Sequence, residues 1–395
     1  MKKNILFVID SLASGGAEKS LVSLLTIFDY SKYNVDLMMF SPEGLYLPLL
    51  PKELRVLNPP EFLLNQSKGI KHLIKKRKAK DLYFRMRLSL DIRNSYLKNK
   101  FHGAQISWKW ASKGITNLDK IYDVAIAYSQ GMPTYYVADK VKSHKKICWV
   151  NTDYKKAPYN PVFDEGYYNK FDNIVAVSDY GKQAFLEKMP SMKSKIEVIY
   201  DIISPTLIKK MSCEEGGFDD EYDGVRILTI GRLVDVKGYD MAIEAAYKLK
   251  KDGINFRWYA IGQGSLKDKL ADMTKKLGID DKFILLGTYT NPYTYLKQCD
   301  IYVQPSRFEG FGLAIAEARI LEKPIVATNF TIVHNQLKDK QNGIITEMNS
   351  ESLYKGIKNL IDNEELQKHI RLNLSKENIG TEDELFKVYS LIESI

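Results

Sequence analysis

The sequence predicts an α/β protein of two doubly wound domains, each with a parallel sheet covered by helices on both faces. The chain has 395 residues, more than the roughly 250–300 at which a single hydrophobic core stops growing. Short apolar runs alternate with helix-like segments along nearly the whole chain, which is typical of buried parallel strands and their crossover helices. The alternation is interrupted at residues 201–224 by a stretch rich in acidic residues and glycine.

The interruption at 201–224 is predicted to be the linker between the domains. We expect an N-terminal domain at 1–203, a C-terminal domain at 204–375 and a last helix at 376–395 that packs back on the N-terminal domain. Ligands of open α/β sheets bind at the carboxyl ends of the strands. The two domains are therefore expected to face each other across a cleft, with the chemistry in the loops that follow the strands.

The strands are predicted from apolar runs bounded by polar residues. In the N-terminal domain they are 5–9, 35–40, 122–128, 146–150, 173–178 and 196–200. In the C-terminal domain they are 225–230, 256–261, 283–286, 301–304 and 324–328. Helices are predicted between them, and the clearest apolar stripe, at 265–277, consists of Leu266, Leu270, Met273 and Leu277.

Composition is that of a globular protein: 45% of the residues are hydrophobic and 27% are charged. No apolar run approaches the roughly 20 residues that a bilayer crossing needs, and because residues 1–4 lead directly into a strand-like run, no signal peptide is expected. The cysteines, Cys148, Cys213 and Cys299, are too widely spaced for a disulfide framework or a zinc site. We expect a cytoplasmic protein in which Cys148 and Cys299 are buried.

Positive charge is concentrated at 68–113, where ten Lys and four Arg face two Asp, while the whole chain carries only +9. Within this basic insertion one helix is predicted at 82–101, with an apolar stripe interrupted by Arg93 and formed by Leu82, Met86, Leu90, Leu97 and Phe101. Two interpretations remain open: docking on an anionic membrane surface, or packing on the N-terminal domain with a solvated basic face. Nucleic-acid binding is not expected, because no recognition module is present.

Two cations lie on one predicted loop at the carboxyl end of a strand. Arg232 and Lys237 separate the strand at 225–230 from the helix that follows. A guanidinium binds two oxygens at once, an ammonium supplies a point charge, and a helix N-terminus adds partial positive charge. This combination suits a diphosphate; the alternative is a pair of solvated charges.

Two carboxylates follow the strand at 301–304. Glu309 lies in the loop, and Glu317 lies in the next helix beside apolar residues. Ribose hydroxyls would satisfy such a carboxylate, and Gly310 and Gly312 would let backbone amides approach a phosphate or a sugar. The alternative is a glycine-rich turn with a solvated glutamate.

A third glycine-bearing turn, at 14–20, follows the first strand. It lacks the Gly-x-Gly-x-x-Gly order of dinucleotide-binding proteins. Exposed amides there, that of Gly16 included, would help to hold the same diphosphate from the facing domain. The five histidines show no ligand-like spacing, so no metal and no cofactor are expected.

The combined motifs resemble the large family of retaining glycosyltransferases numbered family 4, which have the GT-B fold. The resemblance spans nearly the whole chain, and seven residues separate the two glutamates, as in this family. It rests on Gly15-Gly16-Ala17-Glu18, Gly231-Arg232-Leu233, Lys237-Gly238, Gly262-x-Gly264, Pro305-Ser306, Glu309-Gly310-Phe311-Gly312, Glu317-Ala318 and Pro324-Ile-Val-Ala-Thr328.

The resemblance implies a role for each matched residue. Arg232 and Lys237 would neutralise the leaving diphosphate, Glu309 would contact the transferred sugar, and Glu317 would hold the ribose. The backbone near Gly231, Phe311, Gly312 and Leu313 would meet the donor's phosphates. The N-terminal domain would receive the acceptor and the C-terminal domain the nucleotide sugar.

The chain departs from this family at two positions. Asn151-Thr152-Asp153 replaces the His-Thr-Asp of many relatives, so Asn151 and Asp153 are candidates for contact with the sugar or the acceptor. Asn335 lies where relatives often have a carboxylate, which leaves the preferred donor sugar open.

The expected function is metal-independent, retaining transfer of a hexose or N-acetylhexosamine. The donor would be a UDP-sugar or, less favoured, a GDP-sugar, and the acceptor a glycan or polyprenyl-linked glycan of a bacterial surface polysaccharide, made at the inner face of the membrane. A sugar-nucleotide epimerase of the same fold is an alternative, but no water-activating acid–base set is found. A non-catalytic partner subunit is another, against which the intact Arg232, Lys237, Glu309 and Glu317 argue.

Overall fold

The computed structural model describes residues 2–13, 15–67, 78–155 and 157–394. The chain divides into two compact units, one made of Met1–Ile202 with Asp383–Ile395 and one of Ile203–Glu382. Each unit contains one entirely parallel sheet with helices packed against it, so the predicted α/β class with two Rossmann-like, doubly wound domains is confirmed.

The first unit has a seven-stranded sheet in the order β3-β2-β1-β4-β5-β6-β7. The order reverses between β1 and β4, which makes the sheet doubly wound. The strands are β1 Lys3–Ile9, β2 Tyr33–Met39, β3 Arg55–Leu57, β4 Ile121–Ala127, β5 Lys142–Val150, β6 Asn173–Ala176 and β7 Ile196–Val198.

Helices cover both faces of this sheet. Successive side chains of a strand point to opposite faces, so Ile5 and Phe7 contribute to one apolar cluster, and Leu6 and Val8 contribute to the other. The helices are Gly16–Thr26, Glu61–Ser67, Ala79–Arg93, Ser95–Lys100, Gly103–Gly114, Met132–Lys140, Pro161–Tyr168, Asp179–Leu186 and Glu384–Glu393.

The second unit has a six-stranded sheet in the order β10-β9-β8-β11-β12-β13, with the reversal between β8 and β11. Its strands are β8 Val225–Ile230, β9 Phe256–Ile261, β10 Phe283–Gly287, β11 Ile301–Gln304, β12 Ile325–Thr328 and β13 Ile344–Thr346. Its helices are Pro205–Ser212, Tyr239–Lys251, Lys267–Lys276, Tyr293–Gln298, Leu313–Ile320, Ser350–Asp362 and Glu364–Leu374.

Two local expectations were wrong. The stretch expected to be a linker contains the helix Pro205–Ser212, whose first turn is capped by Ser204, with its side chain accepting from the Leu207 amide at 3.3 Å. The helix expected at 82–101 breaks at Asn94, which ends one helix and caps the next. The proposed five-residue stripe therefore does not lie on one helix face.

The last helix, Glu384–Glu393, belongs to the first unit. Val388 and Ile392 are fully buried in one of its apolar clusters. The Lys145 ammonium donates to the Leu391 carbonyl at 2.7 Å, and the rings of Tyr33 and Tyr389 are stacked. The core of the first unit thus includes a helix from the far end of the sequence.

Candidate functional site

The two predicted loops of the second unit follow β8 and β11, the adjacent strands at which the strand order reverses. This is where open α/β sheets bind ligands. Gly238 has a φ of 64°, and a Cβ there would collide with the Pro305 carbonyl oxygen. A Cβ at Gly262 would likewise collide with the Gly231 carbonyl oxygen. Glycine therefore allows these loops to lie in backbone contact.

Lys237 and Glu309, one from each loop, form an ion pair. The lysine Nζ lies 2.7 Å from both carboxylate oxygens. The exposed fractions of the two side chains are 18% and 10%, respectively, so the pair is largely shielded from water. The fold thus joins a predicted phosphate-binding cation to a predicted sugar-binding carboxylate 72 residues away.

The Glu309 carboxylate is held by two further donors. Gln304 Nε2 donates to Oε1 at 2.8 Å and Ser306 Oγ donates to the same oxygen at 2.6 Å. Within the described residues Oε1 accepts from three side chains, whereas Oε2 accepts from Lys237 alone. The carboxylate is therefore fixed in orientation, with one oxygen less engaged than the other.

Arg232 differs from Lys237 in having no partner. Its side chain is exposed, and its guanidinium makes no hydrogen bond or ion pair within the described parts of the chain. The neighbouring Gly231 is engaged in the fold: its amide donates to the Ile261 carbonyl at 2.9 Å, and its carbonyl accepts from the Tyr239 hydroxyl at 2.7 Å. Arg232 is thus the cation of this loop that can bind an anion without breaking an existing bond.

The helix Leu313–Ile320 begins at this site without a side-chain cap, because Gly312, at a φ of 85°, occupies the capping position. Its first-turn amide N–H groups can therefore donate hydrogen bonds to an anionic ligand. Phe311 precedes it, and the Phe311 carbonyl accepts from Gln336 Nε2 at 3.0 Å. Glu317 is 2% exposed and accepts from the Tyr293 hydroxyl at 3.3 Å.

In the first unit, Gly16 begins the helix that follows β1, at the strand-order reversal of that sheet. This helix also has no side-chain cap at its N-cap residue, Gly15. Ser14, which starts the predicted turn, lies outside the described residues.

Asn151 and Asp153 follow β5 and differ in their surroundings. Both polar atoms of the Asn151 amide are buried and have no hydrogen-bond partner in the described structure. The Asp153 carboxylate accepts from the Lys155 amide at 2.9 Å and the Tyr180 hydroxyl at 3.1 Å. Asn151 therefore has free hydrogen-bonding capacity, while Asp153 is already engaged by its own unit.

Gln130 is a second buried amide near Asn151. Its Oε1 accepts from the Thr152 backbone amide at 2.8 Å, which fixes the orientation of the group, because that backbone N–H can only donate. Its Nε2 is buried without a partner in the described structure. Sequence analysis missed Gln130, for which the available signal was a polar residue in the loop at the carboxyl end of β4.

Comparison with known proteins gives a family for part of the chain. Residues 220–376, which include both loops of the second unit, match the family described as glycosyl transferases group 1. These residues are a group 1 glycosyltransferase domain. The resemblance inferred from the motifs is thereby confirmed, and the domain contains Arg232, Lys237, Glu309 and Glu317.

Relatives of known activity match part of the chain. A Campylobacter jejuni protein, N-acetylgalactosamine-N,N'-diacetylbacillosaminyl-diphospho-undecaprenol 4-alpha-N-acetylgalactosaminyltransferase, is 29% identical over 51% of this chain and 54% of its own length. The Staphylococcus aureus poly(ribitol-phosphate) alpha-N-acetylglucosaminyltransferase is 32% identical over 30% of this chain and 24% of its own. The chain spans about half the length of the first curated relatives it matches.

Solved glycosyltransferase structures match the whole chain in fold. HepE of Anabaena, in complex with UDP-glucose, has a TM-score of 0.68 at 16% identity, with full coverage of both chains. TarM of S. aureus, in complex with UDP, has a TM-score of 0.66 at 16% identity, covering 99% of this chain and 100% of that one. The group 1 glycosyltransferase domain is therefore part of a GT-B fold.

The cysteines differ in exposure. Cys148 and Cys299 are buried as predicted, and Cys213 is exposed. No group of three His, Cys, Asp or Glu side chains that could hold a metal occurs in the described ranges. No helix within those ranges is both long and apolar enough to cross a bilayer.

Proposed function

We propose that the chain is a retaining, metal-independent glycosyltransferase that moves a hexose or N-acetylhexosamine from a nucleoside-diphosphate donor to a glycan or lipid-linked glycan. The observation that carries the proposal is the pairing of Lys237 with Glu309 on the loops that also carry Arg232, whose guanidinium has no partner among the described residues. Two cations and a carboxylate at one end of the sheet are the groups that a diphosphate-linked sugar requires.

Each group has a chemical task in the proposed reaction. The bond between the anomeric carbon and the β-phosphate oxygen breaks, the acceptor oxygen bonds to the same face of that carbon, and the acceptor proton passes to the departing phosphate. Arg232 and Lys237 stabilise the negative charge that grows on the diphosphate, which is the larger part of the catalysis. Glu309 holds a sugar hydroxyl, and Glu317 holds the ribose.

The names of similar proteins support the substrate classes. The C. jejuni relative is named for a diphospho-undecaprenol acceptor, and the HepE structure contains UDP-glucose. We therefore favour a UDP-sugar over a GDP-sugar, and a polyprenyl-linked glycan of a bacterial surface polysaccharide as the acceptor. The donor role of Gly16 and the acceptor roles of Asn151 and Asp153 remain predictions.

The test is a screen of UDP- and GDP-sugars for thermal stabilisation and for slow donor hydrolysis. At least one donor should stabilise the protein and release UDP or GDP, and the sugar product should keep its anomeric configuration. Lys237→Ala should lose this response, and Lys248→Ala, which removes a mostly exposed ion pair with Glu351, should keep it. An epimerised sugar without transfer would favour the epimerase, and no response to any donor would favour a non-catalytic subunit.

The helix Ala79–Arg93 has an exposed apolar stripe that suits contact with a membrane surface. Tyr83, Met86 and Leu90 are each more than half exposed, and their spacing places them along one side of the helix. Both acids of this helix are engaged: Asp81 accepts from Asn65 at 2.8 Å, and Asp91 accepts from Trp110 at 2.8 Å and Lys109 at 3.0 Å.

Asp91 pairs with Lys109, and neither acid of this helix is fully exposed. The exposed charge near the apolar stripe is therefore basic, with Arg87 and Arg93 on the same helix. We propose that this helix rests on an anionic membrane surface, since apolar side chains flanked by cations suit that interface. The most basic part of the insertion, residues 68–77, lies outside the described residues.

A further inference from the structure

Gln304, the last residue of β11, is a buried amide that contacts the Glu309 carboxylate. Its exposed fraction is 2%, and those of its neighbours Tyr302 and Ser306 are 0%. Its Nε2 lies 2.8 Å from Glu309 Oε1 and 2.8 Å from Ser306 Oγ. A carboxylate oxygen only accepts, so the end of the amide that faces Glu309 must be its NH₂ group. The Tyr302 hydroxyl bonds to the other end, Oε1.

The contacts of Glu309 are unequal between its two oxygens. If Lys237 turns toward a bound diphosphate, Oε1 keeps its donors, Gln304 and Ser306. Oε2 then loses the only donor that it has within the described structure. A largely buried carboxylate oxygen without a donor is costly, and a sugar hydroxyl would restore the missing bond.

We propose that Gln304 is a positioning residue that, together with Ser306, holds Oε1 of Glu309 so that Oε2 receives a hydroxyl of the transferred sugar when Lys237 binds the diphosphate. This inference rests on the proposed function and assigns a role to a residue outside the family motifs. Gln304 acts through Glu309 and does not itself touch the substrate.

The backbone around Gln304 is held independently of its side chain. The Thr328 hydroxyl lies 2.5 Å from the Ser306 carbonyl oxygen and 3.3 Å from the Gln304 carbonyl oxygen. Replacing the amide with a side chain of similar length should therefore leave the loop in place. Gln304→Met is such a change, because it keeps the chain length and removes both donors.

The experiment compares Gln304→Met with the wild-type protein in UDP binding, measured by calorimetry, and in steady-state transfer from a donor that the wild type uses. UDP contains the diphosphate and the ribose but not the transferred sugar, so its Kd should stay unchanged. The kcat should fall about ten-fold or more, the usual effect of losing a hydrogen bond to a charged group. Combined with Glu309→Gln, the substitution should add little to the loss caused by Glu309→Gln alone.

The matched control is Gln105→Met in the first unit. Gln105 is also a buried amide that donates to a buried carboxylate, that of Asp164, at 2.7 Å. Gln105→Met should lower the Tm without changing kcat. The control therefore distinguishes the general effect of removing a buried amide from a specific effect on catalysis.

Three results would overturn the inference. The first is an unchanged kcat in Gln304→Met, and the second is a loss of UDP affinity as large as the loss of kcat. The third is a double variant in which the losses from Gln304→Met and Glu309→Gln multiply. A wild-type protein that binds neither UDP nor any nucleotide sugar would overturn the proposed function itself, and the role of Gln304 with it.

Discussion

Arg232 and Lys237 lie on one loop, but Lys237 forms an ion pair with Glu309 whereas Arg232 is exposed. Their substitution should therefore affect stability differently. Arg232→Ala and Lys237→Ala should each lower kcat/KM at least about ten-fold, because a charge-assisted contact to the leaving diphosphate contributes about 1.5–3 kcal/mol. Lys237→Ala should also lower the Tm, since it leaves Glu309 buried without its cation. Arg232→Ala should leave the Tm unchanged, because the side chain is exposed and has no partner in the described part of the chain.

Enzyme kinetics and thermal melts of both variants test this prediction, with Lys248→Ala as the control. Wild-type rates in both variants would show that the loop is not a diphosphate site. An equal fall in the Tm of both variants would show that loss of the ion pair is not what destabilises Lys237→Ala.

Replacing Asn151 with an apolar residue should raise stability and lower activity. A buried polar group without a partner costs about 1–3 kcal/mol, so Asn151→Leu, which keeps the branched shape, should raise the free energy of unfolding while lowering sugar transfer. Urea unfolding and transfer assays measure the two effects. If Asn151→Leu destabilised the protein, its amide would have a partner in solution, and the case for a substrate contact would fail.

Asp164→Leu provides the contrast for Asn151. Burial raises the pKa of the Asp164 carboxyl, and hydrogen bonds from Tyr135, Tyr154 and Gln105 lower it. Removing this carboxylate leaves the Tyr135 and Tyr154 hydroxyls without the acceptor that they share and removes one of the two acceptors of the Gln105 amide, so the free energy of unfolding should fall.

At the scale of elements, the approach of the β8 and β11 loops depends on Gly238. Gly238→Ala should destabilise the second unit both by backbone strain at positive φ and by collision with the Pro305 carbonyl. Gly253→Ala is the matched change, since Gly253 has a φ of 72° and nothing within 4 Å of an added Cβ. The Tm should fall further for Gly238→Ala than for Gly253→Ala, and Gly238→Ala should also lose UDP binding. Equal falls in Tm would mean that the two loops can separate at little cost in free energy.

The helix Ala79–Arg93 makes a separate prediction about membrane binding. The protein should bind anionic vesicles, and binding should weaken as salt rises, because exposed charges are screened over about 8–10 Å at 0.1–0.15 M ionic strength. Replacing Lys75, Lys76, Arg77 and Lys78 with Ser or Gln should remove most of the binding and leave donor binding intact.

Apolar substitutions test the other component of that surface. Tyr83→Ser with Met86→Ser and Leu90→Ser should weaken vesicle binding at every salt concentration. Leu372→Ser is the control, because Leu372 is also exposed but lies on a helix of the second unit. If the wild-type protein does not bind anionic vesicles at low salt, the helix is only a solvated basic face and the proposed membrane contact is wrong.

At the scale of the whole molecule, protein side chains rather than a metal ion would neutralise the leaving diphosphate in the proposed reaction. Transfer should therefore continue in excess chelator, since Arg232 and Lys237 would neutralise the diphosphate without an ion. The measurement is the rate of UDP or GDP release with and without chelator. Complete loss of activity that magnesium or manganese restores would contradict the proposal, provided that the chemical step, rather than product release, is shown to need the ion.

The sequence by itself determined the series of buried strands and the loops that carry the chemistry. A fully buried parallel strand is a short apolar run, and this local signal does not depend on neighbours. Once the strands were placed, parallel topology located Arg232, Lys237 and Glu309 at the same end of a sheet. Two short strands, β3 and β13, were not predicted. Each has three residues, and β3 has two exposed positions, so it lacks the apolar run that marks a buried strand.

The tertiary structure alone decided which partners those residues have. The pairing of Lys237 with Glu309 joins two loops that are 72 residues apart. The donation from Gln304 to Glu309 and the lack of a partner for the Asn151 amide among the described residues are likewise visible only in three dimensions. The same is true of the last helix, which joins the first unit through Tyr33 and Lys145. Hydrogen bonds and packing between distant segments follow from three-dimensional proximity, which local periodicity does not encode.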